Sequence, residues 1–523
     1  MPSSYQSVKE TGTINLNYSA TMAVLNSFFM DLIVGIISFG VLLGWYINHN
    51  RTYWQRRGVP TIPGHWLYGN AKDILMFKRS PAIEIGELHQ QASEKDDVLG
   101  IYILHKPFLL LRNPEIIKQI LVKDFNYFQN RYFTARSFHD KIGSSNLFTI
   151  KNPEWRYLRA KISPVFTGGK MKKIFHMITE TAEPMSKYLE IQFPTNSKTQ
   201  TISIRDVSLK YMTDVISSVA FGIKLNSFDP EKVQFFDKVQ EGLKTTFFRA
   251  ILFFTMFFFP KISPYFGGQM LGTSTNYFRN IFWDSLNTRE ANKSKRGDLI
   301  DTLIELKNEE QDNKFKFEGD ALVSQSAIFF VAGRESSVST ICFTLYELAK
   351  YPEIQKRTRE EIKEKLNEHG LTYDSVQSMK YLHQVLSETL RLYPPAPLID
   401  RVAIENYKVP ETDIVIEKGT PIYVALCGLQ RDPKYFPDPL CFNPDRFSEE
   451  NKRNILPGTY MPFGDGPRAC IGMRLGMLQS AIGVITVLKD YEVSLSSTLT
   501  DVIEYRNVFL TPVEGFSLNL TKL

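Results

Sequence analysis

The sequence predicts a mainly α chain with a smaller β region, preceded by one N-terminal transmembrane helix. Three observations predict this. Residues Thr21 to Ile47 are apolar apart from Asp31, which is long enough to span a bilayer from near Ala23. Ala321 to Tyr346, bounded by Asp320 and Pro352, reads as one long helix with only Arg334 and Glu335 charged inside it. Strand signals are confined to short stretches, at Val98 to Leu111, Val409 to Ile422 and the C-terminal end.

The chain has 523 residues, 43% of them hydrophobic, which is enough for a large core. No Pro/Gly/Ser-rich linker divides it after Gly64 and no internal repeat is visible, so one large domain is expected over 65–523. A formal charge of +6 gives no case for nucleic acid; it suits an acidic protein partner or an anionic membrane surface. The four cysteines, Cys342, Cys427, Cys441 and Cys470, form no CxxC pair and no zinc pattern, which points to a reduced compartment.

At the start of the chain, Arg51, Arg56 and Arg57 follow the apolar run, whereas only Lys9 and Glu10 precede it. The positive-inside rule then makes 1–20 a lumenal segment, 21–48 a retained signal anchor, and the remainder cytoplasmic. A cleaved signal peptide would carry its basic flank in front. Asn17-Tyr18-Ser19 is a glycosylation sequon on the lumenal side. Residues 49–64, basic and with Pro60 and Pro63, form a stiff hinge.

In the body, Val98 to Leu111 reads as a hairpin with its turn at Lys106-Pro107. Trp155 and Arg159, four apart, share a helix face. Phe247 to Phe259 holds seven phenylalanines and is too short to span a bilayer; it is core, or a wall of an apolar channel that dips into the membrane interface. Asp320 to Lys350 makes a helix of roughly 45 Å. Glu388 and Arg391 are an i,i+3 pair, which alone is usually a solvated face. Val508–Leu510 and Phe516–Leu518, with a turn at Glu514-Gly515, read as a last hairpin.

The chemistry gathers at Phe463-Gly464-Asp465-Gly466-Pro467-Arg468-Ala469-Cys470-Ile471-Gly472. Glycines let backbone N–H groups approach a large atom. A helix expected from about Ile471 to Leu488 would point its positive end at the Cys470 sulfur and favour the thiolate, a metal ligand. Arg468 supplies fixed positive charge. The bland alternative is a buried free cysteine.

Phe, Gly, Arg, Cys and Gly at this spacing resemble the haem-thiolate signature of the cytochrome P-450 monooxygenases. Nearest in pattern are the microsomal members and their insect, xenobiotic-metabolising branch. The resemblance implies the cytochrome P-450 fold and haem b, with Cys470 as axial iron ligand and Phe463 in the cofactor loop. It assigns Arg468, Arg401, Trp155 and Arg159 to the haem propionates. It makes the segment from Arg131 to Pro153 a variable loop over the active site, and Phe247 to Phe259 a mobile lid.

Ala332-Gly333-Arg334-Glu335-Ser336-Ser337 resembles the family's oxygen-binding groove. There Gly333 makes room beside the haem, while Glu335 and Ser336 pass protons. Ser336 departs from the usual Thr, and Arg334 is unusual. Glu388 and Arg391, joined by Arg446, resemble the family's buried charge network. No Gly-x-Gly-x-x-Gly follows a strand, so NADPH electrons are expected through NADPH–cytochrome P-450 reductase, with cytochrome b5 as a second donor. The expected setting is a single pass through the endoplasmic reticulum membrane, the catalytic domain on its cytoplasmic face. The expected reaction puts one oxygen atom of O2 into an apolar small molecule, a xenobiotic, lipid or terpenoid. A reductase-independent haem-thiolate isomerase and a non-catalytic haem carrier remain the alternatives.

Overall fold

The computed structural model describes residues 7–135, 140–194, 197–310 and 315–523. Part of the loop expected over the active site, 136–139, therefore lies outside the described residues. The chain opens with α1 (Ser7–Arg51), and the helices around the site are α2 (Glu154–Ile162), α3 (Ile204–Ile216), α4 (Gln234–Leu243), α5 (Phe247–Phe258), α6 (Asp320–Lys350), α7 (Lys380–Leu392) and α8 (Met473–Leu488). The strands are β1 (Val98–Ile103), β2 (Lys106–Leu111), β3 (Thr199–Ser203), β4 (Leu398–Val402), β5 (Tyr407–Lys408), β6 (Val415–Ile416), β7 (Pro421–Ala425), β8 (Tyr491–Leu495) and β9 (Ser517–Lys522). They form sheets of order β1-β2-β7-β4, β3-β9-β8 and β5-β6. Helix dominates, as the long apolar periodic runs predict.

Two long apolar helices have opposite fates. Leu25–Arg51 within α1 has none of its apolar window buried, and Phe28, Phe39 and Trp45 stand exposed. The apolar window of α6 is 61% buried within the protein, so α6 is a core helix. It packs against α3 and α8, and Leu322, Phe330, Ile341 and Leu345 are fully enclosed. Gly319, at φ 50°, precedes α6, and Pro352 opens the next helix.

The segment after α1 is clamped as well as stiff. Trp54 is fully buried against β1, where a Cβ on Gly100 would overlap its ring at 2.4 Å. Gly100 N–H donates to the Pro60 carbonyl at 2.8 Å. Arg57 Nε reaches Glu417 at 3.1 Å, and Tyr53 donates to the same carboxylate at 2.8 Å.

Two sequence expectations are corrected. The first hairpin turns at Leu104-His105, with Leu104 at φ 55°, while Lys106 and Pro107 already pair in β2. Proline sits there without penalty because it faces Tyr102 near the end of the ladder. The last hairpin does not form: Ser517–Lys522 pairs with β3 on one side and β8 on the other. Val508–Leu510 stays in a loop, tied by Leu510 N–H to the Pro395 carbonyl at 3.0 Å.

Candidate active site

A cavity of about 590 Å³ lies beside α6. All eight site residues named from the sequence line it: Trp155, Arg159, Glu335, Ser336, Arg401, Phe463, Arg468 and Cys470. They come from α2, α6, β4 and the loop before α8, so only the tertiary fold brings them together.

The cysteine loop is built by backbone geometry. Gly464 and Gly466 have φ of 73° and 71°, where side chains are strained. A Cβ on Gly466 would also come within 2.1 Å of the Leu121 carbonyl oxygen. The Cys470 N–H donates to the Phe463 carbonyl at 2.7 Å and closes the loop. Cys470 is exposed, yet it lines the cavity, so its exposure faces that internal space. Burial pushes its thiol pKa up; the Gly472 N–H, Arg159 and Arg131 pull it down but do not win. Helix α8 starts at Met473, beyond Gly472, so its positive end acts at longer range than supposed. A bound metal cation is what would deprotonate such a thiol.

Behind the loop, α7 supplies a buried charge network. Arg391 binds Glu388 through Nε at 2.7 Å and Nη2 at 2.8 Å, and neither side chain is exposed. Arg446 Nε approaches Glu388 at 3.4 Å, and the Asn443 N–H donates to it at 2.9 Å. Arg391 also holds the Gln430 carbonyl at 2.8 Å, and the Gln430 side chain accepts from Met461 N–H at 3.0 Å. The network therefore reaches the root of the cysteine loop, as expected.

Around the same cavity gathers a cluster of four cations, Arg131, Arg159, Arg401 and Arg468. Arg468 lies over the Trp155 ring at 4.1 Å and donates to the Gln129 carbonyl at 2.9 Å. Among the described residues, Asp400 is the one carboxylate paired with this cluster, bound to Arg131 at 3.0 Å and to the Phe133 N–H at 2.8 Å. Burial first, and then the neighbouring guanidinium groups, push Arg401 down to about 9 and Arg468 down to about 8. Arg401 Nε and Arg468 Nη1 are buried with no hydrogen-bond partner. So many cations for one acid are costly alone, and the unpaired donors await anionic oxygens. A haem, with two propionates and an iron for the cysteine sulfur, fits this donor set.

The sequence did not mark Arg131 or Asp400 as site residues. Their partnership spans 131 to 400, and no local spacing reveals it.

The α6 face differs in one detail from expectation. Ala332, Glu335, Ser336 and Ser337 line the cavity, but Gly333 points away: a Cβ there would meet Ile216 Cδ1 of α3 at 2.8 Å. Gly333 thus permits close packing of α6 on α3 and gives no room in the cavity. Ser336 donates to the Ala332 carbonyl at 2.7 Å, which leaves its lone pairs for the cavity. Gln479 of α8 donates to the Gly333 carbonyl at 2.9 Å and to the Ser337 hydroxyl at 2.6 Å. Five phenylalanines give the cavity an apolar wall: Phe133, Phe148, Phe253, Phe257 and Phe509. Phe509 belongs to the C-terminal loop, which reaches the cavity although it forms no hairpin.

A cysteine loop, an arginine cluster and an aromatic chamber around one cavity suit a haem-dependent oxygenase. Residues 59–520 match the family described as Cytochrome P-450. The chain is 41% identical over 463 residues to cytochrome P-450 6k1 of Blattella germanica, covering 84% of this chain and 87% of the relative. It is 38% identical to a probable cytochrome P-450 6g2 of Drosophila melanogaster, covering 86% and 90%. Cytochrome P-450 6j1 of Blattella germanica is 33% identical, covering 96% and 99%. The chain belongs to the cytochrome P-450 family, alongside insect members. It is therefore an oxidoreductase of the haem-dependent monooxygenase type.

Proposed function

We propose that this protein is a membrane-anchored monooxygenase that inserts one oxygen atom of O2 into an apolar small molecule, a xenobiotic or an endogenous lipid or terpenoid. The observation that carries this is the single cavity that joins the Cys470 sulfur to a wall of phenylalanines. Haem, once bound, would supply dioxygen activation, and a cysteine thiolate held to its iron would favour O–O cleavage. Cys470 would hold the haem iron through its sulfur, and Arg159, Arg401 and Arg468 would meet the propionates, with Trp155 packed beneath Arg468. Phe463 shapes the loop that presents the sulfur. Glu335 and Ser336 hold and pass protons toward the oxygen that leaves as water.

The balance needs two electrons and two protons from outside: one oxygen atom enters a C–H bond and the other becomes water. NADPH is the source, through NADPH–cytochrome P-450 reductase, with cytochrome b5 as a second donor. Helix α1 is the anchor, in the endoplasmic reticulum membrane, with the catalytic domain on the cytoplasmic face. Phe247, Phe248, Trp66 and Tyr265 stand exposed and offer a second membrane contact.

The test uses the full chain with reductase, NADPH and lauric acid or a 7-alkoxycoumarin as probes. The proposal predicts NADPH-dependent product, with one atom of 18O2 retained in hydroxylated laurate. A product panel formed equally without NADPH or reductase would favour the isomerase alternative.

A further inference from the structure

Arg334 is fully enclosed in the middle of α6, and its three guanidinium nitrogens reach three different elements. Nε donates to Thr213 Oγ1 of α3 at 2.8 Å. Nη2 donates to Gln240 Oε1 of α4 at 2.5 Å. Nη1 pairs with Glu335 beside it on α6. A buried cation is tolerated only with such a complete partner set.

The partners are what make it informative. Gln240 and Glu335 both line the cavity. Helix α4 leads directly into α5, whose Phe253 and Phe257 form the aromatic wall. Among the described residues, Arg334–Gln240 is the one side-chain hydrogen bond between α4 and α6. Arg249 of α5 feels the charge of Glu335 and is itself held by the Gly242 and Met270 carbonyls at 2.9 and 2.7 Å.

We propose that Arg334 is a positioning residue: one guanidinium ties the root of the aromatic wall, at Gln240, to the cavity-facing carboxylate of Glu335, so that closure of the wall and placement of the acid are set together. This rests on the monooxygenase reading for Glu335, but the tether itself does not.

The test compares Gln240→Leu and Gln240→Glu in the full-length holoprotein, alone and with Arg334→Gln. The first readout is amide hydrogen exchange of residues 234–258. The second is the dissociation rate of 4-phenylimidazole, followed by haem absorbance. The third is hydrogen peroxide released per NADPH with reductase present.

Losing a hydrogen bond to a charged group should raise exchange and ligand dissociation by about tenfold or more in Gln240→Leu. Gln240→Glu keeps an acceptor and adds charge, so it should slow both. Peroxide per NADPH should rise in the first variant and not in the second. The Leu-versus-Glu difference should vanish when Arg334 is replaced. Exchange within twofold of the parent in Gln240→Leu, or a Leu–Glu difference that persists without Arg334, would overturn the tether. Altered exchange with unaltered peroxide would overturn the link to Glu335.

Both Gln240 variants retain Arg334 with Thr213 and Glu335, so they decide the tether even where Arg334→Gln does not fold. A parent protein that lacks a thiolate-type CO spectrum would instead break the underlying functional reading, which hydrogen exchange does not touch.

Discussion

Replacing Arg391 by methionine should destabilise the protein severely, and the structure says by how much. The guanidinium holds both Glu388 oxygens, at 2.7 and 2.8 Å, and the carbonyls of Gln430 and Pro439 at 2.8 Å each. Methionine fills the volume but donates nothing. Among the described residues, Glu388, with no exposed surface, would keep only the 2.9 Å Asn443 N–H and the more distant Arg446. Breaking a buried pair on one side typically costs about 3–5 kcal/mol. Removing both charges avoids the unpaired carboxylate, so Glu388→Met with Arg391→Met should recover part of that loss. The assay is urea titration followed by haem absorbance and tryptophan fluorescence. Because Gln430 links this pair to Met461, haem should be lost at lower urea than in the parent. A loss under about 1 kcal/mol in Arg391→Met, or a double variant no better than the single one, would refute the reasoning.

Other consequences follow from particular residues. Gly466→Ala meets the Leu121 oxygen at 2.1 Å from a left-handed φ, so it should fold with little or no bound haem, read as the haem-to-protein absorbance ratio. Asp214 is buried, and burial raises its carboxyl to about 6 despite two bonds from Ser227 and the nearby Lys210. The folded state therefore holds its proton more tightly, and up to about 3 kcal/mol of stability present below pH 4 is lost by pH 6. Urea midpoints of Asp214→Asn relative to the parent should rise across that window; a flat difference would contradict the burial argument. Deleting residues through Asn50 should release much of the protein from membranes with haem retained, because Trp54 and Arg57, which clamp the hinge, remain. Complete haem loss would mean that α1 is part of the folded core.

What was legible in the sequence was whatever local chemistry encodes. The cysteine loop needs glycines at fixed places, and α6 is a long run with one charge pair at its centre, so both could be read directly. The network of Glu388, Arg391 and Arg446 was legible only through the resemblance, since the i,i+3 pair alone reads as surface. Long-range pairing was not legible. β9 finds its partners in β8 and β3, which lie far off in sequence, so the nearer Val508–Leu510 looked like the better match. The turn at Leu104-His105 lacks Gly or Asn, and Pro107 drew attention to the wrong place. Gly333 was misdirected because a helix's rotational phase is set by tertiary packing against Ile216. Arg131 and Asp400 were silent for a similar reason: an arginine cluster exists only once α2, β4 and the cysteine loop converge.

The central claim is that Cys470, alone among four cysteines, is the haem iron ligand. The reduced, CO-bound spectrum tests it most directly. Cys342 and Cys427 are buried away from the cavity with thiols pushed up by burial, and Cys441 is exposed and does not line the cavity. The account predicts the strongly red-shifted Soret band of a thiolate-ligated haem in the parent and in the serine variants of those three. It predicts loss of that band in Cys470→Ser. A red-shifted band that survives in Cys470→Ser would contradict the account.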